Sequence, residues 1–279
     1  MRAELRRRGL LGAALSLPFH PARAQQGAQQ GVGVVRLSEG QFRAGAGRIT
    51  FSEVPRGTRN PVYTPAMYGG RPSDPTVRFG GHLMGRRLGS PQECPDGAAS
   101  TGCLAGAPRA PLALDPNAPP AFTAYDGAPG INDVQLSGTP LWNGPIAILF
   151  DTDVAAVGLL GGFFDAPEGT AITVYDRRGR QLGRADNRGR GREFLALATG
   201  DLSQRIAALE FHLVGREPRG FGIDNIRFGD SEQVDVPGVR PPPREPPPPP
   251  QRPPPTPPPA PPPAPPPAPL PAPLPPLLL

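Results

Sequence analysis

The sequence predicts an all-β fold, an antiparallel jelly-roll-like β-sandwich. Short segments rich in aliphatic, β-branched and aromatic residues recur through the middle of the chain, with turn residues between them. No amphipathic helical pattern of about ten or more residues occurs after the N-terminal segment. The predicted strands of this region span residues 146–150, 154–164, 170–176, 193–198 and 206–214.

The segment 220–229 is the predicted closing strand, and it carries two apolar pairs of opposite parity. A regular strand would turn one pair towards water, because successive side chains point to opposite faces. One extra residue near Asp224 and Asn225, a β-bulge, would let both pairs face the core. The alternative is that these two residues end one strand and begin the next. The pairs are Phe221 with Ile223, and Ile226 with Phe228.

The strand at 206–214 alternates more regularly. Its odd-numbered positions are apolar from Ala207 to Leu213, so we expect them to lie in the core. The even-numbered positions should mostly face solvent. This pattern predicts that His212 is exposed beside Glu210.

The first half of the predicted sandwich, which spans residues 34–229, is less regular. Segments 34–37 and 48–51 favour β structure and suggest an opening hairpin or an edge strand, and 76–79 is another short strand. Residues 84–130 form a long loop dense in Pro, Gly and Ala. Loops of this length are commonly functional or poorly ordered, and the cysteine pair inside this one favours function.

Both chain ends are predicted to lie outside the folded domain. Residues 1–24 have a basic start, an apolar run too short to span a bilayer and a small-x-small cleavage site before Gln25, which is the pattern of a secretory signal peptide. Residues 25–33 read as a flexible leader. Residues 230–279 form a proline-rich tail that favours polyproline II, so it is expected to be a disordered spacer, a ligand for proline-binding modules or plain low-complexity sequence.

The net charge of +5 does not indicate a nucleic-acid partner. The predicted signal peptide holds five arginines and one glutamate, so the mature chain is close to neutral. Every basic residue is Arg and none is Lys, which points to a GC-rich genome and not to selection for guanidinium chemistry. The mature chain also contains no apolar run that predicts a transmembrane span.

Cys94 and Cys103 are the two cysteines of the chain. Because the signal peptide directs them to an oxidising compartment, a local disulfide is expected. A loop this small gains little stability from closure, so the bond should pin a loop and not hold the domain together. Two cysteines without a nearby His are a poor metal site.

Four stretches resemble a known family of secreted domains. Residues 49–53, 148–151, 157–158 and 220–229 resemble the jelly-roll-like domains of bacterial exported proteins that carry PEP-CTERM sorting signals. The resemblance implies export, an antiparallel sandwich similar to carbohydrate-binding modules, and a role in the envelope or extracellular matrix without an assigned activity. The family's C-terminal sorting helix and Arg cluster are replaced here by the proline tract.

The same resemblance implies a structural calcium ion, since related sandwiches bind one where the first strand meets the last. Glu53 and Asp224 occupy those positions, with Asn225 as a further oxygen ligand. Calcium takes six to eight oxygen ligands, so backbone carbonyls or water would have to complete the shell. The alternative is that Glu53 is a surface carboxylate and Asp224 a hydrogen-bonding bulge residue. No other cofactor is expected.

A glycan site needs an exposed aromatic ring and a few polar groups, because sugars present CH faces and hydroxyls. Trp142, Asn143 and Tyr125 flank the long loop, and Asp133 is near them in sequence. These four are the candidate glycan-binding residues. The alternative for Trp142 is a core or edge anchor.

Two further clusters stand out. Seven arginines between positions 177 and 192 can either grip an acidic polysaccharide or lipid headgroups, or be simply solvated. Four carboxylates are the candidates for glycosidase chemistry, although they serve equally well as turn residues. The chain has no nucleophile elbow and no phosphate-binding loop. The four carboxylates are Asp151, Asp153, Asp165 and Glu168.

The function these observations favour is that of an exported, non-catalytic envelope or matrix protein whose partner is a polysaccharide or another envelope component. No catalytic residue is assigned. The alternatives are a carbohydrate-active hydrolase that uses the carboxylate cluster, and a scaffold in which the proline-rich tail is the functional part. Location in the periplasm or outside the cell follows from the signal peptide.

Overall fold

A computed structural model describes residues 33–125, 134–218 and 220–239 of the chain. The predicted signal peptide, most of the predicted leader and the tail from position 240 lie outside the described residues. Two short 3₁₀ helices occur, at Glu39–Gln41 and Pro65–Tyr68. The strands are β1 Val34–Arg36, β2 Gly47–Ile49, β3 Val62–Tyr63, β4 Val77–Gly80, β5 Arg86–Leu88, β6 Leu104–Gly106, β7 Phe122–Tyr125, β8 Val134–Ser137, β9 Ile146–Val154, β10 Ala156–Phe164, β11 Thr170–Tyr175, β12 Gln181–Asp186, β13 Gly191–Thr199, β14 Ile206–Leu213 and β15 Gly222–Gly229.

The strands form two large antiparallel sheets and one small ribbon. Sheet I has the order β1-β13-β10-β15-β8-β7, with β2 also paired to β15. Sheet II has the order β12-β11-β14-β9-β4-β3, and β5 pairs with β6. Consecutive strands repeatedly change sheet, as from β9 to β10 and from β10 to β11. The all-β sandwich prediction is confirmed.

The core lies between the two sheets. Aromatic rings from both sheets meet there: the centroids of Phe150 and Phe228 are 5.4 Å apart, and those of Phe211 and Phe221 are 5.0 Å apart. The second pair is nearly perpendicular, the edge-to-face geometry that aromatic quadrupoles favour. These contacts join β15 to β9 and β14, so the closing strand is central to the core.

Strand β15 contains the bulge that its sequence predicts. Against β10, Gly158 pairs with Arg227 and Leu160 pairs with Asp224, so two residues of β15 lie opposite the single residue Leu159. Asn225 has a positive φ of 47°. All four apolar side chains of the segment are consequently buried, each at 1% exposure or less.

The prediction that Glu210 and His212 of β14 face solvent is wrong. Leu209 and Phe211 face the core as expected, but Glu210 and His212 are also buried, at 0% and 7% exposure. The loop that begins at residue 82 covers the outer face of sheet II here. Leu83 donates its N–H to Glu210 Oε1 at 3.0 Å, and Arg86 Nε donates to Oε2 at 3.0 Å. The outer face is therefore a second interior and not a solvated surface.

The long loop predicted at 84–130 has more structure than its composition suggests. It contains β5, β6 and β7, and its residues 126–130 lie outside the described part of the chain. The predicted disulfide between Cys94 and Cys103 is confirmed, with 5.8 Å between the two Cα atoms. Leu213 donates its N–H to the Gly102 carbonyl at 2.9 Å, so the disulfide loop is attached to the end of β14.

The N-terminal segment packs on the outer face of sheet I. Strand β1 is an edge strand paired with β13, whereas β2 pairs with β15, so the two do not form an opening hairpin. Phe42 forms an isolated bridge with Val234, and Val234 and Val236 are buried at 1% and 6% exposure. The packed chain thus continues beyond residue 229, where the sequence places the end of the sandwich.

Within the described residues, no helix has the length and apolarity that crossing a bilayer requires.

The bulge gives a direct test of backbone strain. We expect the free energy of unfolding of Asn225→Ala to be about 1 kcal/mol lower than that of Asn225→Gly, because glycine adopts a positive φ without a Cβ clash and alanine does not. Both variants lose the same side-chain contacts, so their difference isolates the backbone. Urea denaturation of the two proteins measures it, and equal stability would contradict the assigned conformation.

Candidate functional site

Trp142 lies in the loop between β8 and β9, and its backbone is fixed on both sides. Its N–H donates to Ser137 Oγ at 2.7 Å, and its carbonyl accepts the N–H of Phe221 at 2.7 Å. Its φ of 59° is positive, which is uncommon for a bulky residue and marks a constrained position. The half-buried indole is therefore held in place by the strand that closes the sandwich.

The indole ring lies over glycine on the outer face of sheet I. A methyl group on Gly222 would come within 2.7 Å of the ring, and one on Gly220 within 2.1 Å of the Trp142 carbonyl oxygen. Gly222 pairs with Gly162 on β10, and the Arg192 stem lies 3.4 Å from where a Gly162 methyl group would stand. Paired residues of an antiparallel ladder share a face, so Trp142 and Arg192 flank the same pair of glycines.

Tyr125 does not join this surface. Gln135, whose side chain lies beside Gly222 and the Trp142 ring, pairs with Ala124, whereas Tyr125 pairs with the preceding residue, Val134. Adjacent positions point to opposite faces, so Tyr125 is on the other side of the β7–β8 ribbon. Its ring is 40% exposed and the Arg56 guanidinium lies 5.0 Å from the ring centroid.

Of the other two predicted glycan-binding residues, Asn143 is among the described residues and Asp133 is not. Asn143 directly follows Trp142, is half-buried, and its Nδ2 donates to the Leu141 carbonyl at 3.4 Å. Asp133 lies outside the described residues. Trp142 and Asn143 are thus the part of the predicted set that the structure holds together.

Glu53 and Asp224, the predicted calcium ligands, both lie near one buried hydroxyl. Burial raises the pKa of Tyr63, and the carboxylates of Glu53 and Asp224 raise it further. The Tyr63 hydroxyl makes no hydrogen bond of good geometry with a described atom, although Glu53 is close beside it. Glu53 Oε1 also accepts from the Thr50 hydroxyl at 2.8 Å.

The third predicted ligand, Asn225, already has a cationic partner. Its Oδ1 accepts hydrogen bonds from Arg48 Nε at 3.1 Å and Arg48 Nη2 at 2.7 Å. No group of three or more His, Cys, Asp or Glu side chains that could hold a metal ion occurs in ranges 33–125, 134–218 and 220–239. The residues present fit a calcium ion poorly, because a guanidinium takes the amide oxygen that the ion would need.

The four carboxylates of the hydrolase alternative do not form one cluster. Asp151 accepts the Thr76 N–H at 2.8 Å, and Asp153 is paired with Arg177. Asp165 and Glu168 lie beyond the other end of β10, whose nine residues span roughly 26 Å. A glycosidase pair requires about 5 to 10 Å, so these four residues cannot act together.

A carboxylate that sequence reasoning missed lies beside Asp165. Both oxygens of Glu217 accept the Asp165 N–H, at 3.0 and 2.9 Å, so the Glu217 carboxyl lies against the backbone of Asp165. Burial raises the pKa of Glu217 to about 7, and the Asp165 charge raises it as well. Glu217 is 52 residues away in sequence and follows no motif, so only the fold brings the two together.

No protein-family model matches this chain, and no curated protein matches it either. The class of the protein therefore rests on the structure, which is an antiparallel β-sandwich with a disulfide-pinned loop over one sheet and a fixed Trp on the other.

Glu217 should make stability depend on pH. Between about pH 4.5, its ordinary pKa, and pH 7 the folded state binds more protons than the unfolded state, so the free energy of unfolding falls as pH rises. Burial lowers the pKa of His212 to about 4. Up to pH 6.5, the ordinary pKa of histidine, His212 therefore makes the free energy of unfolding rise with pH, which opposes the effect of Glu217. Because His212 is present in both wild type and Glu217→Gln, the difference in their free energies of unfolding reports on Glu217 alone.

We expect that difference, wild type minus Glu217→Gln, to decrease from pH 5 to pH 7.5 and then to level off. Urea denaturation at each pH measures it. A difference that stays constant across this range would show that Glu217 titrates normally.

Removal of metal ions should leave the thermal stability of the sandwich unchanged. We expect EDTA not to lower the Tm and excess calcium not to raise it, because Arg48 already donates hydrogen bonds to the Asn225 side-chain oxygen that the ion would need. Differential scanning calorimetry with and without each reagent is the measurement. A rise in Tm with calcium that disappears in Asp224→Asn would establish the ion that the sequence predicts.

Proposed function

We propose that this protein is an exported, non-catalytic β-sandwich of the cell envelope or extracellular matrix that binds glycan through the surface around Trp142. This surface consists of Trp142, Gly162, Arg192 and Gly222. The observation that carries the proposal is the fixed indole over paired glycines. A ring held by its backbone loses little conformational freedom on stacking against a sugar, which favours binding.

Export is supported by the leader pattern of residues 1–24 together with the disulfide, since disulfides persist in oxidising compartments. The absence of catalysis is supported by the separation of the predicted carboxylates across the length of β10. The resemblance to PEP-CTERM-type exported domains points to the same envelope or matrix role, by fold-level analogy.

The hydrolase alternative now rests on a different pair, Asp165 and Glu217. A carboxyl with a pKa of about 7 is suited to act as a general acid. Both Glu217 oxygens are taken up by the Asp165 N–H, however, whereas the two carboxyl groups of a glycosidase stand about 5 to 10 Å apart across the substrate. This arrangement favours a structural role for Glu217 over hydrolysis.

A glycan array tests the proposal, with wild type, Trp142→Ala and Tyr125→Ala probed side by side. We expect wild type to bind at least one class of glycan, Trp142→Ala to lose at least about tenfold in affinity, and Tyr125→Ala to stay within about twofold. Tyr125 is the matched control because it is an exposed aromatic on the opposite face. Trp142→Phe keeps a ring on the glycines and should bind at an intermediate level.

Two results would contradict the proposal. One is the absence of glycan binding by all four proteins, and the other is binding by Trp142→Ala equal to that of wild type. A chain truncated after Val239 separates the scaffold alternative, because it keeps the packed residues up to that point. Binding by the full chain that the truncated chain lacks would assign the function to the tail.

A further inference from the structure

A cleft of about 440 Å³ opens on one side of the sandwich, between the edge strand β1 of sheet I and the edge strand β12 of sheet II. Its lining includes an apolar group, and its charged side chains are both arginines and carboxylates. Arg36 crosses the cleft from β1 and donates from Nη1 to the Asp186 carbonyl at 2.7 Å, which links the two sheets. The apolar lining residues are Val34, Ala185 and Leu197, and the charged ones are Arg36, Arg184, Arg188, Glu168 and Asp186.

Most of the charges around the cleft are already paired. Arg36 forms an ion pair with Glu193 at 2.6 Å, and Arg184 forms one with Asp186 at 2.5 Å. Arg188 is exposed and has no ion pair with any residue of the described ranges. Its guanidinium is the one among the three arginines of the lining that has no carboxylate partner, and the exposed Glu168 carboxylate of the lining forms no ion pair with a described residue either.

Arg188 lines the cleft together with a second guanidinium, that of Arg36. Burial lowers the pKa of Arg36, the Glu193 charge opposes that shift, and the Arg188 charge lowers the pKa further. The two cations therefore repel each other across the cleft. A bound anion would remove this repulsion, which makes the arrangement complementary to negative charge.

The turn that presents Arg188 is rigid. Asn187 is fully buried, and its Nδ2 donates to the carbonyls of Ala166 at 2.7 Å and Gly189 at 2.9 Å. Glu193 Oε2 accepts the backbone N–H of Arg188 at 2.7 Å and of Gly189 at 3.0 Å. The backbone of Arg188 is thus fixed before any ligand binds, so only its side chain has to be ordered on binding.

We infer that this cleft binds the carboxylate-bearing sugars of an acidic polysaccharide, with Arg188 contacting the carboxylate. A guanidinium presents two parallel donors that match a carboxylate. The apolar lining residues suit the CH face of a pyranose ring. The volume is that of a small-ligand site, too small for a folded partner and sufficient for one or two sugar units.

The turn itself argues against a lipid surface. Its residues from 187 to 192 read Asn-Arg-Gly-Arg-Gly-Arg, with no apolar or aromatic side chain to enter a bilayer. None of the residues that line the cleft belongs to the surface around Trp142, although Arg192 of that surface lies in the same turn as Arg188. The inference therefore stands or falls independently of neutral-glycan binding there.

Isothermal titration calorimetry of the full chain with tetragalacturonate tests the inference. The control ligand is its fully methyl-esterified form, which has the same rings without the charge. The test variant is Arg188→Gln. The matched control is Arg178→Gln, because Arg178 is exposed, has no ion pair among the described residues and lies in the turn at the other end of β12.

We expect wild type to bind tetragalacturonate and not the ester, and Arg188→Gln to bind it at least about tenfold more weakly. Arg178→Gln should stay within about twofold of wild type, and raising the salt concentration should weaken binding. Trp142→Ala should retain this binding, which separates it from the proposed glycan surface. Equal Tm values for the arginine variants and wild type confirm that folding is unaffected.

Three results would overturn the inference. They are no binding by wild type, equal loss in Arg178→Gln and Arg188→Gln, and equal affinity for the ester. Vesicles of phosphatidylglycerol test the alternative that the cleft binds an anionic lipid headgroup. Binding to them that exceeds binding to tetragalacturonate and depends on Arg188 would assign the cleft to an anionic membrane instead.

Discussion

Strand β15 contains one more residue than β10 across the segment from Asp224 to Arg227, and the rest of the sandwich depends on where this residue lies. Without it, one of the two apolar pairs of β15 would face the solvent. With it, Phe221 contacts Phe211 near one end of the core and Phe228 contacts Phe150 near the other. The bulge therefore lets a single strand close the core along its whole length.

The same strand also organises the candidate glycan surface. The N–H of Phe221 fixes the Trp142 carbonyl, and Gly222 leaves room for the indole ring. In the bulge itself, Asn225 accepts a hydrogen bond from Arg48 of β2. Core packing and the presentation of an aromatic side chain thus have one structural cause.

The sandwich offers two different kinds of surface for ligands. The region around Trp142 is a shallow aromatic surface over glycines on the outer face of sheet I. The cleft between β1 and β12 has a volume of about 440 Å³, includes apolar residues in its lining and presents Arg188 from a rigid turn. One scaffold can carry both because each depends on a different strand pair, and such sites are features of the surface and not of the fold.

The sequence was most informative where neighbouring residues determine the result. The bulge followed from the parity of two apolar pairs within one short segment, and the disulfide from two cysteines near each other in a chain with a signal pattern. The strands of the second half were recognisable because turn residues separate them. Each of these inferences needed only local spacing.

The sequence was least informative where a distant segment covers a surface. The alternation in β14 correctly identified two faces, but it could not show that a proline-rich loop would bury Glu210 and His212. Proximity in sequence was equally misleading for Asp153 and Asp165, since a nine-residue strand runs between them. Conversely, Asp165 meets Glu217, and Arg36 meets Glu193, only through the fold.

The most direct test of the central claim is a nuclear Overhauser measurement between the aromatic rings at the two ends of β15 and the opposite sheet. With the bulge in place, Phe221 should show cross-peaks to Phe211, and Phe228 to Phe150, because both pairs of ring centroids lie within 5.4 Å. Cross-peaks from one of these rings alone, with the other ring in contact with water, would show that β15 is regular and would contradict the account.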